Sequence, residues 1–314
     1  KLFFHHNTQK PQDLLNIQII FVYNVKERRL IYMNKIHNIM TVIDYIEENL
    51  SDKLNLYNIS QAVGYSKYHL HRMFADTIGI SIHDYVQRRK LTEAAKLLVF
   101  SQKPILEISL VAGYESQQAF SKIFKQMYKQ TPNEYRNNQN FYPLQLRFQF
   151  NKEIKHLTSQ DIQKKIHLAS LSDIPAWMNL VHLIIDGFPN LDKTKYMQTL
   201  EKYIDQKRAF ILKEEDLAIG VMLMNEETGS IDFFGVHPLY HKYGIMEAFI
   251  NKLRNELIPD IDITITTFRL GDKADTGYRK LYKDLGFIED ELLIEFNYPT
   301  QKLRLTKQEE SYYE

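Results

Sequence analysis

GYSKYHLHRMF, residues 64–74, returns in altered form as GYESQQAFSKIFKQMY, residues 113–128. Ile59, Gly64 and Tyr65 recur 49 residues later as Ile108, Gly113 and Tyr114. After one inserted residue, Phe74, Ser81 and Tyr85 recur 50 residues later as Phe124, Thr131 and Tyr135. In the first copy Ser66 stands where a helix N-cap is wanted, and the helix predicted over 66–77 buries Leu70, Met73, Phe74 and Thr77 on one stripe. Tyr68, His71, Arg72 and Ala75 fall on the opposite stripe. The second copy places Phe120, Ile123, Phe124 and Met127 inward and Gln118, Ser121, Lys122 and Lys125 outward, with Gln117 at the edge. A short helix, a glycine turn and a second helix with a polar outer face make a helix-turn-helix, and here it occurs twice.

The flanks agree with that reading. Ile36, Ile39, Met40, Ile43, Ile46 and Leu50 recur at helical spacing, and Leu54, Leu56, Ile59, Ala62 and Val63 lead into Gly64. Residues 81–100 read as one connecting helix, after which Pro104 restarts the pattern. Two units on a stiff helix let a single chain reach two half-sites about one helical turn of DNA apart. Arg takes guanine bidentately, Gln takes adenine, and Tyr and His suit single contacts. Lys67, Lys125 and Lys129 suit phosphates. Taken singly, Tyr68, His71, Gln117 or Gln118 reads equally well as solvated helix surface; the duplication is what favours recognition. His69 and His71 point to different helix faces, so they make no metal pair, and no metal is expected.

On these two stretches, and on the closing TPNEYR at 131–136, residues 33 to about 140 resemble the DNA-binding domain of the AraC/XylS transcription regulators, in particular the Mar, Sox and Rob subgroup. The resemblance implies base reading by Tyr68, His71 and Arg72 in one helix and by Gln117, Gln118 and Lys122 in the other. It also implies promoter double-stranded DNA and RNA polymerase as partners. His71 and Lys122 depart from the Gln and Arg usual in the subgroup, so the target sequence need not be the subgroup's.

From Pro143 to about Lys164 the chain is polar and rich in Gln and Lys, which suggests a linker. Short apolar runs at 165–169, 209–212, 218–224, 231–236, 263–268 and 292–296 then read as strands, with helical patterns over 174–185, 194–206, 244–257 and 276–285. The fold class expected is multidomain: an all-α tandem helix-turn-helix domain over 33–142, the linker over 143–164, and an α/β domain with a mixed central sheet over 165–307.

GSIDFFGVHPLYHKYGIMEAFINKL (229–253) and GYRKLYKDLGF (277–287) are similar to the GNAT acyltransferases. That resemblance implies a strand ending at Val236 and a loop of His241, Lys242, Tyr243, Gly244, Ile245 and Met246. The loop amides and the helix start would bind the pyrophosphate of acetyl-CoA or another acyl-CoA. Tyr282 would be the acid and Asp232 a base toward an amine substrate. His241 stands where that family has Arg or Gln, and Met246 where it has a small residue. The same fold also serves ligand sensing. The resemblance therefore leaves three roles open: an acetyl-CoA-dependent N-acetyltransferase whose helix-turn-helix controls its own gene, a sensor of a small-molecule effector, or a module that recruits another protein.

The 314 residues carry a net charge of only +1, which conceals an uneven distribution. Residues 33–147 hold 14 basic and 10 acidic side chains, whereas 148–314 hold 21 and 27. The DNA reader is thus mildly basic, and its affinity should rest on the outward residues of two helices more than on bulk charge. Zero Cys excludes disulfides, thiolate metal sites, cysteine nucleophiles and any thiol switch within these residues. No apolar run approaches the roughly 20 residues that span a bilayer, and a cytoplasmic, membrane-free protein is expected. Residues 1–32, with 5 basic and 2 acidic side chains and the first Met only at 33, read as a leader outside the folded domains, and 308–314 as a tail.

Overall fold

The computed structural model describes residues 34–150, 162–184, 193–295 and 297–307; the expected leader and tail lie outside the described residues. The first unit is α1 (34–48), α2 (Leu56–Ala62) and α3 (Lys67–Ile78). Asn55 and Ser66 cap α2 and α3 by accepting the amides of Asn58 and His69, and Gly64 takes the left-handed turn between them at φ 73°. α4 (Ile82–Phe100), capped by Ser81, carries the chain to the second unit of α5 (Ile105–Val111), α6 (Gln117–Tyr128) and α7 (Pro132–Asn138). Left-handed Lys129 ends α6, and Thr131 and Glu134 form a reciprocal capping box at the start of α7.

The two units do not share a core. Phe120, Phe124, Tyr128, Tyr135 and Tyr142 form an aromatic cluster in the second unit, with Phe124 and Tyr128 stacked at 4.4 Å. The first unit's core instead runs through Tyr85 and Phe148 into that of the sheet domain. This corrects the expected linker over its first part. Leu144, Gln145, Phe148 and Phe150 are buried; Tyr85, Phe148 and Phe150 stack in turn at 5.6 and 5.7 Å. Leu144, Leu146, Phe148 and Phe150 alternate here with Gln145, Arg147 and Gln149, the period of a half-buried extended segment, and they form a strap between the domains.

After α8 (Ile162–Lys165) come β1 (His167–Leu168), α9 (Ile174–Ile184), α10 (Lys193–Asp205), β2 (Ala209–Glu214), β3 (Leu217–Asn225), β4 (Ser230–Val236), α11 (Ile245–Lys252), β5 (Ile263–Phe268), α12 (Tyr278–Asp284), β6 (Ile288–Glu295) and β7 (Tyr298–Leu305). The seven strands order as β1-β2-β3-β4-β5-β7-β6, antiparallel except for β4 against β5. β7 is a strand the sequence reading missed. Pro299 and Gln301 spoil its apolar pattern, yet Tyr298, Gln301, Leu303 and Leu305 are buried as β7 pairs between β5 and β6. Trp177 of α9 and Leu200 of α10 pack with β2 and β3 residues in one cluster, and Phe249 of α11 belongs to another. β4 and β5 pair at only two positions, Ser230 with Thr264 and Ile231 with Ile265. Beyond Ile231 the two strands part, and β4 continues to Val236 against β3 alone.

Candidate nucleic-acid interface and the seam behind it

Ser66 and Ser116 cap α3 and α6 at equivalent positions, so the two helices present equivalent faces. With Leu70, Met73, Phe74 and Thr77 turned inward in one, and Phe120, Phe124 and Met127 in the other, the opposite stripes are left to solvent. Lys67, Tyr68, His71, Arg72, Gln117, Gln118, Lys122 and Lys125 are exposed, and Ser121 is half-buried. Tyr68 is 75% exposed, and the Arg72 guanidinium lies 5.6 Å from its ring centroid. The ring and the guanidinium, four residues apart on the outer face of α3, hold each other, and both stay open to a partner. α4 joins the two units as one continuous helix of 19 residues, about 28 Å long at 1.5 Å per residue.

Lys129, expected to meet phosphate, is engaged elsewhere. It caps α6 in the left-handed conformation at φ 61°, and its Nζ lies 2.8 Å from Oδ1 of Asp272 in the sheet domain. The Asp272 side chain is 4% exposed; it also accepts the Tyr298 hydroxyl and the Ala274 amide. Arg88, buried in α4, donates to the Ala274 carbonyl at 2.8 Å. The first copy has Gly79 where the second has Lys129, so in the sequence a lysine replaces the residue that best suits a left-handed cap. α3 is held at its end too. Asp76 Oδ1 accepts from Lys242 at 2.5 Å, and a side chain at Gly79 would meet the His241 ring at 3.7 Å. Both recognition helices thus have their C-terminal ends against the sheet domain.

The loop expected to hold a pyrophosphate has part of the required geometry. Gly244 is left-handed at φ 68° and opens α11, whose first-turn amides have no intrahelical acceptor. Its surroundings oppose a diphosphate. Lys242 is paired with Asp76, and a Cβ at Gly244 would lie 3.6 Å from a Glu247 carboxylate oxygen. Burial holds the His241 imidazole below its usual range, hence neutral. Ile245 and Met246 are buried in the core, as is Val236, while Tyr243 is half-buried. As docked, these residues do not fit the phosphates of a coenzyme A.

Nor are the two expected catalytic groups brought together. Tyr282 is 5% exposed and packs against Phe287, and burial drives its phenol further from ionisation. The Asp232 carboxylate accepts the Tyr203 hydroxyl at 2.6 Å and the Ser230 hydroxyl at 2.7 Å. No group of three His, Asp or Glu side chains among the described residues is placed to hold a metal, and no helix among them is long and apolar enough to cross a membrane.

His237, at the end of β4, is the most perturbed imidazole. Burial pushes it down from 6.5 to about 3. The unfolded chain takes up a proton as the pH falls through about 6.5, while the folded chain does not until about 3, so stability is lost as the solution is acidified. Between pH 7.5 and 5 His237 should account for about 2 kcal/mol of that loss. His237→Gln should flatten the pH dependence of the urea midpoint over this interval; an unchanged slope would show that His237 is protonated in the fold.

Two outward helix faces on a tandem scaffold define a helix-turn-helix DNA-binding protein, and comparison with known proteins agrees. A helix-turn-helix domain family model matches residues 59–138. The multiple antibiotic resistance protein MarA of Escherichia coli is 42% identical over 98 residues, which is 31% of this chain and 77% of MarA. Among solved structures, the C-terminal domain of AraT, a response regulator from Geobacillus stearothermophilus, is 30% identical over 32% of this chain and 84% of its own, with a TM-score of 0.32. A GNAT-family acetyltransferase from Bacillus cereus is 17% identical over 46% of this chain and 97% of its own, with a TM-score of 0.36. The chain belongs to the AraC-type transcription regulators of the MarA kind.

Proposed function

We propose that this regulator reads a bipartite promoter site, with Tyr68, His71 and Arg72 of α3 at one half-site and Gln117, Gln118 and Lys122 of α6 at the other. Lys67, Lys125 and the Ser121 hydroxyl serve the phosphates. The observation that carries this reading is the pair of equivalently capped helices whose outward stripes are exposed while their C-terminal ends are fastened behind. Such a protein acts where promoter DNA is, in the cytoplasm, and RNA polymerase is its natural partner there.

For the sheet domain we propose ligand sensing rather than acyl transfer. The burial of Tyr282 and the engagement of Asp232 by two hydroxyls favour it. An acyl-CoA enters this proposal only as a ligand of an arrangement in which Asp76 has released Lys242. Selection of bound duplexes from a randomised pool tests the DNA reading. Arg72→Ala should cost about 1–3 kcal/mol at one base position and relax the preference there. Lys125→Ala should weaken all sequences alike and lower the salt dependence by about one ion. Equal weakening of selected and random DNA by Arg72→Ala would sink the assignment of α3.

A further inference from the structure

A cavity of about 360 Å³ lies at the seam between the domains, beyond the point where β4 and β5 part. Its walls are shared. Ile78, Ile80 and Phe148 come from the helical domain and its strap, and Val236, Met246 and Leu281 from the sheet domain. The volume falls within the range of small-molecule sites, which are mostly apolar. The polar side chains that also line it include His241, Tyr278, Lys280 and Asp284, the last two four residues apart on α12. The mainly apolar lining suits an uncharged, largely apolar small molecule.

We propose that this cavity is an effector site, and that its occupant alters DNA binding because it touches both domains at once. The proposal rests on the sensing role given above to the sheet domain. Ile78 is the last residue of α3, Gly79 its left-handed cap, and Ile80 leads into α4. A molecule in the cavity therefore bears on the end of the first recognition helix. The second is anchored separately, through Lys129 and Asp272. Movement at one anchor and not the other changes the disposition of the two reading helices. A pocket enclosed by one domain would bind equally well whatever the docking. A pocket with walls on both has an affinity that depends on the docking, and that differential affinity is what shifts an equilibrium. The coupling must also be reciprocal.

The uncharged fluorophore N-phenyl-1-naphthylamine is a suitable probe of the full chain. One molecule per chain should bind, with the signal lost in both Ile80→Trp and Leu281→Trp, which fill the cavity from opposite domains. Binding that survives both replacements overturns the site. In the wild-type chain, hydrogen exchange should show the probe protecting residues 79–82 and 278–281 together, and protection of one segment alone overturns the shared walls. Saturating probe should change the affinity for a pool-selected duplex at least about 5-fold, and the duplex should change the probe's affinity by the same factor. Probe binding at the cavity with DNA affinity unchanged overturns the effector role. A chain that protects both segments but selects no duplex refutes the DNA reading and leaves the two-walled site standing.

Discussion

Replacing Arg89 by Met is expected to remove about 3–5 kcal/mol of folding stability, a large share of what a domain possesses. Arg89 and Glu47 are each 8% exposed at the side chain. The guanidinium engages both Glu47 oxygens at 2.8 Å through Nε and Nη2, donates to Glu93 at 3.0 Å, and reaches the Gln145 carbonyl at 3.0 Å. Without it, the Glu47 carboxylate is left buried with the Tyr85 hydroxyl as its remaining hydrogen-bond donor from this network. Desolvation makes such an orphaned charge costly, whereas removing both partners costs far less. The double variant Glu47→Gln with Arg89→Met should accordingly recover a substantial part of the loss. Urea denaturation reads both; a single-variant loss under about 1 kcal/mol would mean that water reaches the pair. The consequence is also functional, because this one side chain ties α1, α4 and the 143–150 strap together, and α4 sets the spacing of the two reading helices.

Phe124→Ala should cost about 3–5 kcal/mol, and the damage should be local. Phe124 is fully buried and meets Phe120 at 5.4 Å, Tyr128 at 4.4 Å and Tyr135 at 5.3 Å. Its neighbours in this core are mostly rigid rings, so the space left is filled only in part, by movement of Met127 or the leucines, and transfer and cavity terms add. The core around it is distinct from the continuous core of the first unit and sheet domain. Hydrogen exchange should therefore show α5, α6 and α7 losing protection while α1, α2 and α3 keep theirs. On DNA the variant should retain sequence preference at the α3 half-site and lose it at the α6 half-site. Uniform loss of protection across both units would show that they fold as one cooperative body.

Much of the helical domain was legible in the residues themselves. Ser66, Gly64, Ser81 and the 49- and 50-residue recurrences are local signals, and each resolves into a cap, a turn or a repeated helix that the structure contains. The outward stripe of α3 and α6 follows from 3.6-residue periodicity once the inward stripe is known. The sheet domain was legible in its alternation of strands and helices. β7 escaped because Pro299 and Gln301 break the apolar pattern of a strand buried by its neighbours. Residues 143–150 carry a legible alternation of Leu, Leu, Phe and Phe with polar residues, but they join no sheet, so only the packing shows that they are a strap and not a linker.

The sequence alone determined that this chain carries two helix-turn-helix units with two polar reading faces, since periodicity and capping are properties of a dozen neighbouring residues. The tertiary structure alone decided which outward residues remain free to read. Lys129 faces away from its own unit's core, yet it ends on Asp272, 143 residues along the chain. Asp76 likewise meets Lys242, and Tyr282, legible by resemblance as an acid, is shut into a core. Facing outward is defined by one helix and its own unit; being exposed depends on what distant segments bring to that face. The seam that captures Lys129 and Asp76 also encloses the cavity and fastens both reading helices.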